Sequence, residues 1–248
     1  MTETRILWDM PITVTIVDSK ATKKNINDIF TYFSHVDAVF NTFREDSEIS
    51  KINANQLPRI KWSHEMKEVI DLCEETKRQT NGFFEINRNG SLDPLGIVKG
   101  WAIHKACDSL LDKEFDNYYI EAGGDIETHG HNEVGKIWSV GIRNPFNRKE
   151  IVKKLNINNM GIATSGTYIR GNHIINPFAP TELITDIVSL TIVGPDVLEA
   201  DRMATAAFAM GKNGINFIET IPGFEGYMID SRGQATFTEG FSIYVYKN

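Results

Sequence analysis

Segments with the alternating pattern of β-strands follow one another in runs along this chain, and this order strongly constrains its fold. Three such segments come in succession at residues 118–122, 137–142 and 151–157. A doubly wound parallel sheet instead needs strands that alternate strictly with helices. The order therefore favours an α+β class, in which antiparallel sheets are packed with helices.

Four helices are predicted from apolar residues that recur with the helical period. The first covers residues 26–40, the second begins after the N-cap residue Ser63 and ends at Asn81 and Gly82, with glycine at the C′ position, the third covers 98–111, and the last runs from about 195 to 210. Further strands are predicted at residues 12–17, 83–86, 187–193, 226–229 and 241–246. With no linker or repeat, residues 1–248 are expected to form one domain, with two sublobes as the alternative arrangement.

The composition argues against several classes of partner. A net charge of -7 and the lack of a basic stripe make nucleic acid a poor partner. No apolar run approaches the roughly 20 residues of a membrane span, and the first residues lack a signal-peptide pattern, so we expect a cytoplasmic protein without membrane insertion. Cys73 and Cys107 lie in helical patterns and are expected to be buried apolar side chains.

The stretch from residue 161 to residue 177 is too polar and too rich in glycine to be explained by core packing. Thr164 and Ser165 offer hydroxyls, and Gly166 offers a backbone able to take positive φ, so the three together are able to gather donors around an anionic oxygen. His173 supplies a side chain that exchanges protons near neutral pH. We therefore expect this stretch to hold a ligand.

Residues 93–102 predict a second contact with an anion. A turn that ends at Gly96 leads into a helix, and the N-terminus of a helix favours phosphate through its amides and its dipole. Lys99 adds a full positive charge on the first turn. The alternative is that Asp93 and Pro94 only start a helix and that Lys99 is a solvated surface residue.

Glycine pairs and histidine pairs mark two further candidate segments. Gly123, Gly124 and Asp125 follow a predicted strand, where they allow close approach to a ligand or simply form a tight turn. His129 and His131 suggest a zinc site, but no third ligand stands at a usual spacing, so a turn is the better interpretation.

Asp201 and Thr205 are four residues apart in the last helix, so their oxygens lie on one face. Two hard oxygen donors at this spacing suit Mg²⁺, which completes its octahedron with water and phosphate oxygens. The alternative is an ordinary polar face. Alanines around Asp201 indicate a packed helix, in which an unpartnered carboxylate would be costly, so a partnered buried carboxylate is favoured.

Taken together, these segments resemble the ApbE-type family of FAD:protein FMN transferases. The family pattern runs Asp-x-x-Gly-x-x-Lys-Gly-Tyr-Ala, then Gly-Gly-Asp, then Thr-Ser-Gly-x-Tyr with His-Ile-Ile-Asp-Pro, then Ala-Asp-x-x-Ala-Thr, and counterparts occur here in that order. Residues 46–53 are similar to its Asp-Ser-Glu-Ile-Ser-x-Ile-Asn signature, and Asp9-Met10-Pro11 stands where an early Met or Gly-Thr element is expected. The resemblance covers residues 10 to about 211.

The resemblance implies an ApbE or T-fold-like architecture, an FAD site and a Mg²⁺ site. It implies that the FAD pyrophosphate lies near Thr164 and Ser165, with Gly123, Gly124 and Asp125 as candidate neighbours and further contacts from Met10, Phe43, Phe83, Phe84, Glu85, Asp93, Lys99 and Ile175. It implies Mg²⁺ ligands from Asp201, Thr205 and the backbone carbonyl at about Gly96. The flavin comes from the resemblance alone.

The implied reaction is Mg²⁺-dependent transfer of FMN from FAD to a Thr or Ser hydroxyl of a target flavoprotein, with AMP as the leaving group and His173 as the base. The alternatives are hydrolysis of FAD to FMN and AMP, and a flavin-binding protein without catalysis.

Three departures from the family pattern stand out. Asn176 replaces the Asp expected before Pro177, and Phe43 stands where many transferases carry Tyr, a position tied to transfer or hydrolysis. The stretch between Glu85 and Asp93 is shorter than usual, which implies a compact variant.

Overall fold

An antiparallel sheet of eight strands runs through the computed structural model, which describes residues 1–167, 171 and 173–246. Tyr168 of the polar stretch lies outside these residues. The strands lie side by side in the order β1 (Thr2–Leu7), β2 (Met10–Ile16), β5 (Tyr118–Ala122), β6 (Asp125–His129), β9 (Met160–Gly166), β10 (Ile187–Gly194), β11 (Glu225–Asp230) and β12 (Ala235–Phe237). Every neighbouring pair is antiparallel, which confirms the predicted α+β class.

Helices cover one face of this sheet. They are α1 (Lys23–Phe40), α2 (Glu48–Asn53), α3 (His64–Gln79), α4 (Leu95–Leu111), α5 (Val197–Ala209) and α6 (Asn213–Glu219). The side chains of Ser63 and Asp196 accept hydrogen bonds from backbone N–H groups in the first turns of α3 and α5, which fixes where these helices begin. Apolar residues of α1, α3 and α4 pack on β2 and β5, and those of α5 and α6 pack on β9, β10 and β11.

A hairpin covers the other face. It consists of β7 (Trp138–Arg143) and β8 (Ile151–Ile157), and its apolar residues form a separate core with Ile126, Ile162 and Tyr227. Because successive side chains of a strand point to opposite faces, Ile126 faces this hairpin while its neighbours Asp125 and Glu127 face the helices. The sheet therefore places two carboxylates of β6 against the helical layer.

Several predicted elements need correction. Residues 83–86 alternate in burial but pair with no strand in the described residues; a short hairpin of β3 (Asn87–Arg88) and β4 (Ser91–Leu92) follows instead. Residues 241–246 are not a strand, because a 3₁₀-helix spans Glu239–Ile243 and buries Phe241. After α3, Asn81 rather than glycine takes the C′ position, with Gly82 behind it, and both have positive φ.

None of the helices in the described ranges is both long enough and apolar enough to cross a membrane.

Candidate functional site

The helices α4 and α5 touch at Gly100, and this contact places Asp201. A Cβ atom at Gly100 would lie 2.7 Å from Cβ of Asp201 and 2.9 Å from the carbonyl oxygen of Val197. The N–H of Gly100 donates to Oδ2 of Asp201 at 2.9 Å. Glycine is therefore required here, since any side chain would push the Asp201 carboxylate away from α4.

The carboxylate of Asp201 is held inside the protein beside a lysine. Asp201 is only 5% exposed, and its Oδ1 lies 3.9 Å from Nζ of Lys99. Lys99 also forms an ion pair with Asp125. Burial raises the pKa of Asp201 to about 7; Lys99 opposes this rise and Asp125 adds to it. Lys99 is itself mostly buried, so the alternative of a solvated surface lysine is wrong, and the partnered buried carboxylate is confirmed.

Thr205 lies one turn beyond Asp201 and meets the start of α4. Its Oγ1 donates to the carbonyl oxygen of Gly96 at 3.3 Å. A Cβ at Gly96 would lie 3.2 Å from Cγ2 of Thr205 and 3.3 Å from the ring of Phe84, so these two side chains pack closely on the Gly96 backbone. A carboxylate, a hydroxyl and a carbonyl are hard oxygen donors, and this set fits the ligand chemistry of Mg²⁺.

The glycine pair forms the turn between β5 and β6. Gly123 and Gly124 both have positive φ, as a two-residue hairpin turn requires, so the tight-turn alternative describes the backbone correctly. A Cβ at Gly123 would lie 2.7 Å from the sulfur of Met10, which places that predicted FAD contact beside the turn. Asp125 is 1% exposed and accepts the N–H of Thr164 at 3.0 Å, so its carboxylate links β6, β9 and Lys99.

The first part of the polar stretch, up to Gly166, is a strand rather than a loop that gathers donors. Thr164 and Ser165 are consecutive residues of β9, so their hydroxyls lie on opposite faces of the sheet. Thr164 bonds Thr191 on the hairpin side at 2.8 Å between hydroxyl oxygens, while Ser165 shares the helix side with Asp201. Gly166 is not among the glycines with positive φ. The expectation that both hydroxyls gather around one anion is therefore wrong, and Ser165 is the one suitably placed.

His173 lies outside the cluster of Asp201, Lys99 and Asp125. Its side chain is exposed, its Nδ1 lies 3.0 Å from the carbonyl oxygen of Gly171, and its own carbonyl accepts from Arg88 at 3.3 Å. Arg88 also pairs with Asp93 at 3.5 Å, which connects the histidine segment to the start of α4. Ile175 is partly exposed in the same segment.

The substituted position Asn176 retains a local role. Its amide oxygen accepts the N–H of Phe178 at 2.9 Å, a bond that an Asp side chain makes equally well.

The remaining predicted contacts occupy different environments. Phe43 is 90% exposed, and Phe83 packs edge to face on Phe178. The ring of Phe84 is buried in the core, so only the main chain of Phe84 is left for contact with a ligand. Glu85 pairs with Lys77 at 2.6 Å. Burial disfavours the ionised form of Glu85, but the hydrogen bonds from Lys77 and from backbone amides outweigh burial and lower the pKa of Glu85.

Residues 46–53 have a structural role that the motif did not reveal. Ser47 is the N-cap of α2, and Glu48 accepts the N–H of Ser63 at 2.7 Å. The side-chain amide of Asn53 exchanges two hydrogen bonds with the backbone of Leu92, at 2.8 and 2.9 Å. This segment therefore anchors the hairpin that precedes Asp93.

A second polar group behind the site was not predicted. His104, Glu127 and Asp196 come from α4, β6 and the cap of α5, and one ligand-type atom from each lies within 4.8 Å of the others. Within this group, Nδ1 of His104 lies 3.2 Å from both carboxylate oxygens of Glu127. Once residues 125–129 are known to be a strand, the two-residue spacing of Asp125 and Glu127 places both on the same face.

His129 and His131 do not join a metal cluster in the described residues. His129 stacks on Tyr118, and its Nδ1 lies 2.8 Å from the carbonyl of Asp116, while Gly130 turns the chain with positive φ. The turn interpretation is confirmed.

This arrangement of helices on an antiparallel sheet is the fold of solved ApbE proteins. The chain matches the ApbE protein of Thermotoga maritima with a TM-score of 0.88 over 100% of this chain and 99% of that one, at 20% identity. It matches the flavin transferase ApbE of Vibrio cholerae with a TM-score of 0.85 over 98% of both chains, also at 20% identity.

The sequence itself matches the ApbE family model over residues 8–90 and 85–228, and the chain belongs to the ApbE family. The two matched segments overlap at residues 85–90, in the stretch that precedes Asp93.

Among characterised relatives, this chain is similar to FAD:protein FMN transferases. The enzyme of Vibrio cholerae is 30% identical over 125 residues, or 47% of this chain and 37% of the relative. That of Haemophilus influenzae is 30% identical over 132 residues, or 49% and 38%, and that of Klebsiella pneumoniae 29% over 158 residues, or 60% and 44%. The aligned regions thus span less than half of each relative.

Proposed function

We propose that this protein is an FAD:protein FMN transferase that moves FMN from FAD to a Thr or Ser hydroxyl of a target flavoprotein and releases AMP. The observation that carries the proposal is the convergence of Asp201, Thr205 and the Gly96 carbonyl beside Lys99, in a member of the ApbE family. The names of the relatives support the flavin chemistry.

In this proposal the start of α4 and the face of α5 receive the FAD pyrophosphate. Lys99 and the helix N-terminus attract the phosphate oxygens, and Ser165 lies on the same side of the sheet. Met10, Gly123 and Gly124 lie together and are proposed to border the flavin nucleotide, with Phe83, Asp93 and Ile175 as further contacts. Asp125 would act mainly by holding Lys99 and the backbone of β9.

Asp201, Thr205 and the Gly96 carbonyl would hold Mg²⁺, which neutralises charge on the pyrophosphate when it is bound. Burial raises the pKa of Asp201 to about 7 even with the positive charge of Lys99 at 3.9 Å, so a bound divalent cation would favour the ionised carboxylate.

His173 is the proposed base. A carbonyl oxygen only accepts hydrogen bonds, so the contact with Gly171 assigns the proton to Nδ1, and a neutral imidazole then carries its lone pair on Nε2. The acceptor hydroxyl loses its proton to Nε2 as its oxygen bonds to the FMN-side phosphorus. The bond from that phosphorus to the bridging oxygen breaks, and AMP leaves with this oxygen.

The test is incubation of the purified chain with FAD, Mg²⁺ and a Thr-containing peptide of a candidate flavoprotein. Peptide-bound flavin with AMP supports transfer. Free FMN with AMP shows hydrolysis, which the Phe43 position makes the second candidate function, and FAD that stays bound but unchanged shows binding without catalysis. His173→Ala should lower transfer by about 10² to 10⁴-fold, while the matched control His64→Ala, at a side chain 92% exposed on α3, should not.

We further propose that residues 1–248 act as one domain in the cytoplasm. The continuous sheet and the match to whole solved chains support the single domain.

A further inference from the structure

Two carboxylates on the helix face of β6 each pair with a basic side chain of α4. Asp125 pairs with Lys99 beside the proposed metal ligands, and Glu127, two residues further along the strand, pairs with His104. Glu127 is 8% exposed, and a polar group that is buried to this extent requires hydrogen-bond partners inside the protein. The second pair lies behind the first, against the beginning of α5.

Glu127 also holds the first residue of α5. Its Oε2 accepts the backbone N–H of Val197 at 3.0 Å, and Val197 lies four residues before Asp201 on this helix. Gly161 is the sheet partner of Glu127. A Cβ atom at this position would lie 2.0 Å from the backbone of Asp196 and Val197, so only glycine allows this close approach. The start of α5 therefore rests directly on β6 and β9, and Glu127 fixes its position.

We propose that His104 is a positioning residue for Asp201. Its imidazole orients the Glu127 carboxylate toward the Val197 N–H, and this fixes α5 in the position where Asp201 and Thr205 meet Gly96. This inference rests on the proposed function, because it assigns His104 a role in the affinity of the Asp201 site for its divalent ion.

The surroundings of His104 favour the charged imidazole. Three carboxylates face it: Glu127 from β6, Asp196 from the cap of α5, and Asp108 on its own helix at 3.8 Å. Burial disfavours the protonated imidazole, but the bond to Glu127 and the three negative charges outweigh this effect and raise the pKa of His104 to about 9. The pair is therefore an ion pair at neutral pH.

The test measures Mn²⁺ binding to the whole chain by electron paramagnetic resonance at pH 7.5, without FAD. His104→Gln should weaken Mn²⁺ binding by about tenfold, the size of effect seen when a group that orients metal ligands is lost. The double variant His104→Gln/Glu127→Gln should bind within about threefold of the parent, since a neutral amide still accepts from Val197 and no charge is left uncompensated. His64→Gln, at an exposed histidine that also faces a glutamate, is the matched control.

Val197→Pro provides a second route to the same result. Proline fits the first position of a helix and removes the N–H that Glu127 holds, so this variant should also weaken Mn²⁺ binding by about tenfold. It keeps the inference testable if His104→Gln does not fold.

The outcomes separate the two proposals. If Asp201→Asn binds Mn²⁺ like the parent, the ion is not at Asp201, and both the metal assignment and the role of His104 are wrong. If Asp201→Asn loses Mn²⁺ but His104→Gln, or Val197→Pro where His104→Gln does not fold, binds like the parent, only the positioning role is overturned. Additive losses in the double variant would also overturn it, because they indicate a purely structural contribution.

Discussion

The hydroxyl of Thr205 lies 3.3 Å from the carbonyl oxygen of Gly96, across 109 residues of sequence. This contact joins the face of α5 to the first turn of α4, one helical turn from the carboxylate of Asp201. A divalent ion bound there would replace a weak hydroxyl-to-carbonyl bond with two metal bonds. The packing of two helices thus brings the proposed ligand oxygens of Gly96 and Thr205 together.

Replacing this hydroxyl tests the ligand set. Thr205→Val keeps the shape of the side chain but removes one oxygen, so Mg²⁺ affinity measured by calorimetry should fall, while the free energy of unfolding changes by only about 1 kcal/mol. Thr220→Val is the control, because its hydroxyl also donates to a helix carbonyl, that of Phe217 at 2.7 Å. Equal Mg²⁺ affinity in parent and Thr205→Val would remove Thr205 from the site.

Lys99 is predicted to stabilise the protein as well as to attract phosphate. Lys99→Met leaves Asp125 and Asp201 buried without their cation, so urea unfolding should show a loss of about 3 kcal/mol. Added Mg²⁺ should restore part of this loss, because it replaces the missing charge. Lys105→Met on the same helix removes a more exposed pair with Glu68 and should cost less than about 1 kcal/mol. Similar losses of unfolding free energy in both variants would show that the buried ion pairs of Lys99 stabilise the protein no more than the exposed pair of Lys105.

Gly161 is predicted to be irreplaceable for a steric reason. Gly161→Ala places a Cβ 2.0 Å from the backbone of Asp196 and Val197, which cannot move aside, so the variant should lose at least about 3 kcal/mol or fail to fold. In Gly141→Ala the three atoms nearest to the new Cβ all belong to the side chain of Ile151, the closest at 2.8 Å, and the loss should be smaller because a side chain can shift. Thermal melts of both variants test this contrast, and a stable Gly161→Ala would contradict the packing described.

The charge on His104 predicts a pH dependence of stability. Its pKa is raised from 6.5 to about 9 in the folded protein, so its contribution is complete below pH 6.5 and is lost as the pH rises through 9. The free energy of unfolding of the parent, minus that of His104→Gln, should therefore fall between pH 6.5 and 9. A difference that stays constant across this range would show that folding does not raise the pKa of His104.

The sequence predicted the class of fold because its strong signals are local. The helical period of α1, the N-cap Ser63 and the strand at Tyr118–Ala122 are all confirmed. The strands β6 and β9 were not predicted, because buried polar residues such as Asp125 and Thr164 break the alternation that marks a strand. Polar residues were interpreted as loop-forming where the structure uses them inside the sheet.

The candidate site was predicted in part for a similar reason. Spacing within one helix was enough to place Asp201 and Thr205 on the same face. The predicted helix start after Gly96 was enough to identify Lys99 as a nearby positive charge. Contacts between distant segments, such as Glu127 with Val197, depend on how the sheet and helices pack. No local pattern in the sequence encodes them.

The most direct test of the proposed activity is mass spectrometry of a candidate flavoprotein acceptor coexpressed with this chain. We predict covalent FMN on one Thr or Ser of the acceptor with the parent chain and with His64→Ala, and loss of this modification with His173→Ala and Asp201→Asn. An acceptor that remains unmodified by the parent, while FAD is converted to free FMN and AMP or stays intact, would contradict the assignment as a transferase.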